Sequence, residues 1–173
     1  MANYALPDGY SYVDVASAQQ YEAHEGVEVV ARVTLPMSRS AALAAWIRSI
    51  WLKDAEVLVH GEGPVLVGAE RCLTALGIKE KLLSVGLLHD YANRSKHAVA
   101  SVLYEVTDPA KVPIISKLAL VRFLHTGDET TEVVWTIKVT PKPPVDVATI
   151  SNMVAGMLKR GIALLSAGAA AKL

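Results

Sequence analysis

Residues 145–173, VDVATISNMVAGMLKRGIALLSAGAAAKL, form the segment around which we expect the rest of the chain to be organised. The segment follows Pro141, Pro143 and Pro144 but contains no proline itself, so it can continue as one helix. At 1.5 Å per residue this helix would be roughly 40 Å long, enough to lie across a small sheet. Its apolar residues recur at helical spacing: Val147, Ile150, Met153, Val154, Met157, Leu164 and Leu165.

The opposite side of this helix is polar and carries Asp146, Asn152, Lys159 and Lys172. Asn152, Lys159 and Arg160 interrupt the apolar residues, so we expect the helix to pack against a sheet and not to span a membrane.

The composition favours one globular domain without a nucleic-acid surface. The chain has 173 residues, with 17 basic and 17 acidic side chains and a pI near 7.0, so no basic face for nucleic acid or anionic lipid is expected. Hydrophobic residues make up 52% and the mean hydropathy is +0.32, which leaves apolar surface for a pocket or a subunit interface. The single cysteine, Cys72, excludes an internal disulfide.

The first residues, MANYALPDGYSY, have neither a basic nor an apolar signal region, so a cytoplasmic location is expected. We interpret residues 1–25 as an N-terminal extension outside the core, with one short helix at about residues 16–23. The domain itself is expected to span residues 26–173.

The remaining pattern predicts one strand, a pair of helices and six further strands. Residues 27–35 alternate between apolar and polar side chains, and Ser38 can cap a helical region over residues 39–52. The six later strands are placed at about residues 57–59, 65–74, 78–88, 97–106, 117–124 and 131–140. Because short turns join them, neighbouring strands must be antiparallel.

The predicted fold is therefore α+β. A curved seven-stranded antiparallel sheet wraps around a long C-terminal helix, and two short helices follow the first strand. A twisted sheet and a straight helix differ in curvature, so a cavity is expected between them.

Several strand motifs carry a family resemblance over about residues 27–170. Gly68 to Arg71 in the third strand, Lys79 to Leu83 in the fourth and Thr131 to Trp135 in the last, followed by the long helix, resemble the START/Bet v 1-like (SRPBCC) superfamily and its polyketide cyclase/dehydrase and lipid transport group. The resemblance implies a helix-grip fold that encloses a hydrophobic small molecule. Members of this superfamily include lipid carriers, hormone receptors, cyclase subunits, lyases and isomerases, so the fold does not determine the activity.

Arg71 and Glu80 are the candidate catalytic residues. Period-two alternation places Arg71 on the same face as Val67, Ala69 and Leu73, and a short turn makes the third and fourth strands neighbours. A buried arginine needs a partner, and Glu80 is the natural one. The pair could anchor a ligand oxygen and transfer a proton, or it could be a cross-strand ion pair on the solvated face.

The lachrymatory factor synthase branch of the superfamily is similar in having a functional arginine and glutamate in such strands. Its functional tyrosine has no counterpart here, because residues 112–123 contain no tyrosine.

Six further residues are candidate ligand contacts, although each could instead be ordinary packing. They are Trp46, Trp51, Tyr104, Trp135, Met153 and Met157. Among the histidines, His89 is the most interesting, because it precedes Asp90 and Tyr91 and could act as a base.

The motifs indicate neither a cofactor nor a metal: no phosphate-binding glycine loop, nucleophile elbow or zinc motif is present in the sequence. The leading hypothesis is a protein that binds a lipid, aromatic or polyketide-like molecule as a cyclase, dehydratase or isomerase, with Arg71 as the anchor and Glu80 as the acid or base. The alternatives are a non-catalytic carrier or sensor, and a ligand-free protein that forms a homodimer through exposed apolar residues such as Leu83 and Val85.

Overall fold

The computed structural model describes residues 13–61, 66–90, 95–127 and 129–170, with the side chains of 13–16, 86–90 and 95–100 left out of the description. Three α-helices are formed, α1 (Val13–Ala23), α2 (Arg39–Trp46) and α3 (Val147–Ala170), and α2 continues into a π-helical turn (Ile47–Trp51). The strands are β1 (Val27–Leu35), β2 (Ala55–Val59), β3 (Glu70–Leu73), β4 (Lys79–Asp90), β5 (Ser95–Asp108), β6 (Ile114–Gly127) and β7 (Thr130–Pro141).

The seven strands form one antiparallel sheet in the order β1-β7-β6-β5-β4-β3-β2. Strands β2 to β7 follow one another in the chain and in the sheet, as the short turns require. Strand β1 closes the arrangement by pairing with β7, with Val27 opposite Val139 and Leu35 opposite Thr131. The predicted helix-grip architecture, with a long C-terminal helix and two short helices after the first strand, is confirmed.

Helix α3 lies across the inner face of the sheet. The Asp146 carboxylate accepts a hydrogen bond from the Thr149 amide at 2.7 Å and caps the helix, which lowers the pKa of this exposed carboxyl. Ile150, Val154, Leu158 and Leu165 are buried against the sheet, and each contributes about 1.5–3 kcal/mol by leaving water. Of the helices in the described residues, α3 alone is long and apolar enough to cross a membrane. Its buried residues pack in the main core, as those of a core helix do.

The third strand is shorter than predicted. It begins at Glu70 and not at residue 65, because the backbone before it turns: Leu66 has a φ of 59° and Gly68 a φ of 82°. The chain can pair with β4 in a regular ladder only after this turn. Residues 62–65, which the prediction assigned to the preceding turn and the start of this strand, lie outside the described residues.

The prediction that Leu83 and Val85 form an exposed apolar face is wrong. A β-bulge between Leu82 and Ser84 shifts the register of β4 against β5 and reverses the alternation of side chains. Val85 therefore lies in the main core, and Leu83 packs in a smaller cluster on the outer face. Ser84, which unbroken alternation from Glu80 and Leu82 would place on the inner face, instead hydrogen bonds to Ser17 of α1.

Helix α1 covers the outer face of the sheet. It lies outside the main core, but its Tyr21 is buried in the smaller cluster, which also contains Leu103, Leu118 and Leu120. The Tyr21 hydroxyl donates to Glu28 at 2.9 Å, and burial together with this carboxylate raises the pKa of Tyr21. This helix is therefore a packed part of the fold and not a loose extension.

Candidate functional site

A cavity of about 220 Å³ lies between α3, the π-helical turn and the inner face of the sheet. Helix α3 supplies mainly apolar atoms, whereas the sheet supplies charged and aromatic groups. The lining residues are Ser49, Ile50, Lys53, Asp54, Arg71, Leu73, Leu76, Glu80, Tyr104, Lys117, Trp135, Ile137, Met157, Leu158, Arg160, Gly161 and Leu164. The predicted space between sheet and helix is present, and Leu76 and Leu164 at its rim are exposed to solvent.

Glu80 is held between two cations at the inner end of this cavity. Its side chain is 0% exposed. One carboxylate oxygen, Oε2, accepts from Arg71 Nε at 2.8 Å and from Arg71 Nη2, and the other, Oε1, accepts from Lys117 Nζ at 2.7 Å. Arg71 and Lys117 are also almost fully buried. Glu80, Arg71 and Lys117, here called the charge cluster, carry two positive charges and one negative charge.

The charge cluster keeps Glu80 ionised. Burial raises the pKa of a carboxyl, but here the positive charges of Lys117 and Arg71 and their hydrogen bonds outweigh burial and lower the pKa of Glu80 to about 2. Because both of its oxygens already accept hydrogen bonds, Glu80 is a poor proton acceptor while the cluster is intact.

Arg71 also connects the charge cluster to the π-helical turn. Its Nη1 donates to the carbonyl oxygens of Ile50 and Trp51, both at 2.6 Å, at the end of this turn where such oxygens lack helical partners. The guanidinium lies 4.2 Å from the centre of the Trp51 ring, a favourable cation–π distance. Single π-helical turns are rare and occur often at functional sites.

A cluster of four aromatic side chains includes Tyr104 and Trp135, which line the cavity, and holds both of them in position. Trp46 stacks near Trp51 with ring centres 6.0 Å apart and also contacts Tyr104 and Trp135. The Trp135 indole Nε1 donates to the Tyr104 hydroxyl at 3.0 Å. Burial and the nearby Glu80 raise the pKa of Tyr104, so its phenol stays neutral and keeps its proton.

Only some of the candidate site residues that were predicted from the sequence line the cavity. The predicted pairing of Arg71 with Glu80 is present, and Tyr104, Trp135 and Met157 line the cavity. Trp46, Trp51 and Met153 do not line it: the two tryptophans are buried in the main core, and Met153 is partly buried against it. Cys72 is half-buried on the opposite side of β3. The side chains of His89, Asp90 and Tyr91 lie outside the described residues.

Sequence reasoning missed Lys117 and Leu158. Lys117 shares its side of β6 with Ala119, Val121 and Phe123, all of which are buried, but the other side of this strand is apolar too, so alternation did not single it out. Leu158 lies four residues after Val154 on the buried side of α3, which is also the expected helical spacing.

Gly161 allows α3 to approach Trp135. A Cβ at this position would lie 2.7 Å from Trp135 Cζ3, and the rigid ring is held in place by its hydrogen bond to Tyr104. We therefore expect Gly161→Ala to lower the free energy of unfolding by about 1–3 kcal/mol. Gly156→Ala is the matched control: its Cβ would meet only Arg160 Nη1, at 3.7 Å, and alanine should stabilise this helix by about 0.5–1 kcal/mol.

Urea unfolding of both variants measures this difference. Equal effects at the two glycines would show that Trp135 is not held against α3.

Comparison with known proteins identifies the fold. No protein-family model matches the chain, and no curated protein sequence matches it. Among solved structures, a START superfamily protein from Mycobacterium smegmatis is similar with a TM-score of 0.59 and 10% identity, over 84% of this chain and 99% of that one. Ara h 8.0201 is similar with a TM-score of 0.58 and 11% identity, over 85% and 99%.

Truncated norcoclaurine synthase from Thalictrum flavum is similar with a TM-score of 0.54 and 12% identity, over 82% of this chain and 92% of that one. The chain therefore has a START/Bet v 1-like fold. At these identities the similarity concerns the fold alone.

Proposed function

We propose that this protein binds a hydrophobic small molecule in the cavity between the sheet and α3. The observation that carries the proposal is the cavity itself. Its walls combine the apolar side chains of Leu73, Ile137 and Leu158 with a few convergent polar groups, a combination typical of ligand sites.

The volume of the cavity limits the size of its ligand. Sites for drug-sized molecules measure about 300–1,000 Å³, whereas an apolar cavity of about 150 Å³ accepts benzene. At about 220 Å³, this cavity fits one aromatic ring with a short substituent, or an aliphatic chain of similar volume. A longer lipid would have to extend through the rim past Leu76 and Leu164.

Toluene is a suitable neutral probe. We expect toluene to bind the wild-type protein and Leu164→Trp to weaken this binding at least about tenfold, because the larger side chain blocks the rim of the cavity. Leu124→Trp is the matched control: Leu124 is 39% exposed, close to the 41% of Leu164, but it does not line the cavity. Isothermal titration calorimetry measures the affinity of the wild-type protein and of both variants for toluene.

The proposal fails if toluene does not bind the wild-type protein, or if both tryptophan variants bind it equally well.

A non-catalytic carrier or sensor fits the charge cluster best, because both oxygens of Glu80 already accept hydrogen bonds from cationic side chains. The second candidate is a cyclase, dehydratase or isomerase in which Arg71 anchors a ligand oxygen and Glu80 transfers a proton. The observation that supports it is that both side chains line the cavity. For this chemistry, a ligand must first displace Lys117 or Arg71 from the carboxylate of Glu80.

Proton transfer can be tested with phenylacetone in D₂O, by following exchange of its α-protons by NMR. Acceleration that is lost in Glu80→Gln would support catalysis, and exchange at the buffer rate with and without the protein would contradict it.

Homodimer formation has a different candidate surface from the one that the sequence suggested. Val57, Leu58 and Val59 are exposed on β2, which is an edge strand of the sheet. Sedimentation equilibrium of Leu58→Lys against the wild-type protein tests whether this edge pairs with a second copy.

A further inference from the structure

The charge cluster has unused hydrogen-bond donors that point to the chemistry of the ligand. Lys117 Nζ has three protons, and one of them goes to Glu80. The structure places no other acceptor for the remaining two among the residues it describes. The Tyr104 hydroxyl oxygen accepts from Trp135, and within the described ranges its own proton also has no acceptor. Both groups line the cavity.

The same cluster has an excess of positive charge. One carboxylate is shared by a guanidinium and an ammonium, so within the described part of the chain one positive charge at the buried end of the cavity has no ion-pair partner of its own. Taking a charge out of water is costly unless an opposite charge lies nearby. Glu80 has no further oxygen to offer, because Arg71 and Lys117 use both.

We propose that the ligand is a small apolar molecule with an anionic oxygen group, such as an aryl carboxylate, whose oxygens accept hydrogen bonds from Lys117 and Tyr104. This inference rests on the proposed function, since it assigns the chemistry of the same cavity. The apolar part of the ligand lies along Leu158 and Met157 of α3. Arg71 can offer the ligand at most one further donor, because four of its five N–H groups already donate to Glu80 and the π-helical turn.

Phenylacetate and phenylacetamide test this inference, because they have nearly the same shape and differ in charge. We expect the wild-type protein to bind phenylacetate at least about tenfold more tightly, since hydrogen bonds to ionised groups are about twice as strong as neutral ones. Lys117→Met should abolish the preference, and Lys117→Arg, which keeps the charge, should retain most of it. Lys81→Met is the control, because Lys81 lies on the outer face beside Glu70 and should leave the preference unchanged.

If Lys117→Met does not fold, Tyr104→Phe provides the second variant, since it removes one donor and should reduce the preference severalfold. Toluene binding shows whether a negative result concerns only the anionic ligand or the binding site as a whole. If toluene binds but phenylacetate binds no more tightly than phenylacetamide, or if Lys117→Met keeps the preference, the assignment of an anionic ligand is overturned and the cavity remains a binding site. If toluene does not bind the wild-type protein, the proposed function itself fails.

Discussion

Replacing Glu80 with glutamine is expected to lower the free energy of unfolding by about 3–5 kcal/mol. The variant keeps the shape of the side chain but leaves Arg71 and Lys117 buried without a counter-charge. Urea denaturation of the two proteins at pH 7 measures the loss. Glu70→Gln is the matched control on the neighbouring strand, because its ion pair with Lys81 is partly exposed, is 3.6 Å long and should contribute less than about 1 kcal/mol.

The effect of Glu80 should also depend on pH in a defined direction. The pKa of this carboxyl falls from 4.5 to about 2 on folding, so its stabilising effect is complete above pH 4.5 and is lost as the pH falls towards 2. Wild-type stability should therefore decrease over this range more steeply than that of Glu80→Gln. Parallel pH profiles, or a loss at pH 7 no larger than that of Glu70→Gln, would contradict the observed charge cluster.

Replacing Arg71 with methionine should be equally damaging, and it should also loosen a specific segment. The variant loses the bonds to Glu80 and leaves the carbonyl oxygens of Ile50 and Trp51 without their donor. We expect a loss of about 3–5 kcal/mol in the free energy of unfolding, together with faster amide exchange at Leu52, whose amide bonds to Ile47. Hydrogen exchange followed by NMR measures this local opening.

Arg32→Met is the control for Arg71→Met, because Arg32 forms an exposed ion pair with Glu132 at the other end of the sheet. It should change stability by less than about 1 kcal/mol and leave exchange at Leu52 unaltered. If Arg71→Met slowed or did not affect this exchange, the link between the charge cluster and the π-helical turn would be disproved.

The pairing of Arg71 with Glu80 could be predicted from the sequence because two local rules agree there. Period-two alternation selects one face of each strand, and the short turn between β3 and β4 forces them to be neighbours, which places these residues opposite each other in the ladder. The long helix and the order of strands were predictable for similar reasons, since helical spacing and short connections leave few arrangements.

The same alternation failed at Val85 because a bulge adds a residue to β4, whereas Leu83 stays on the outer face and packs in the smaller cluster. A bulge depends on how two strands fit together, and neither glycine nor proline stands at Leu82, Leu83 or Ser84, where this one occurs. Every side chain beyond the bulge is displaced to the other face until the register shifts again. The predicted dimer surface therefore failed because the bulge turns Val85 inward and the smaller cluster partly buries Leu83.

Lys117 was missed because β6 is apolar on both of its faces. Leu118 and Leu120 pack under α1, whereas Ala119 and Val121 belong to the main core. Alternation therefore did not show which face of β6 is the inner one. We had also expected residues 1–25 to lie apart from the core, so nothing in the predicted fold explained why the outer face of β6 is apolar. The position of α1 is a tertiary contact that local pattern does not reveal.

Intermolecular NOEs from bound toluene test most directly whether the hollow beneath α3 receives a ligand. The structure predicts NOEs from the toluene protons to the methyl groups of Met157 and Leu158, which line the cavity from the helix side. NOEs restricted to Val57, Leu58 and Val59 on the exposed edge strand, or no NOEs at a saturating concentration of toluene, would show that the space between helix and sheet is not a binding site.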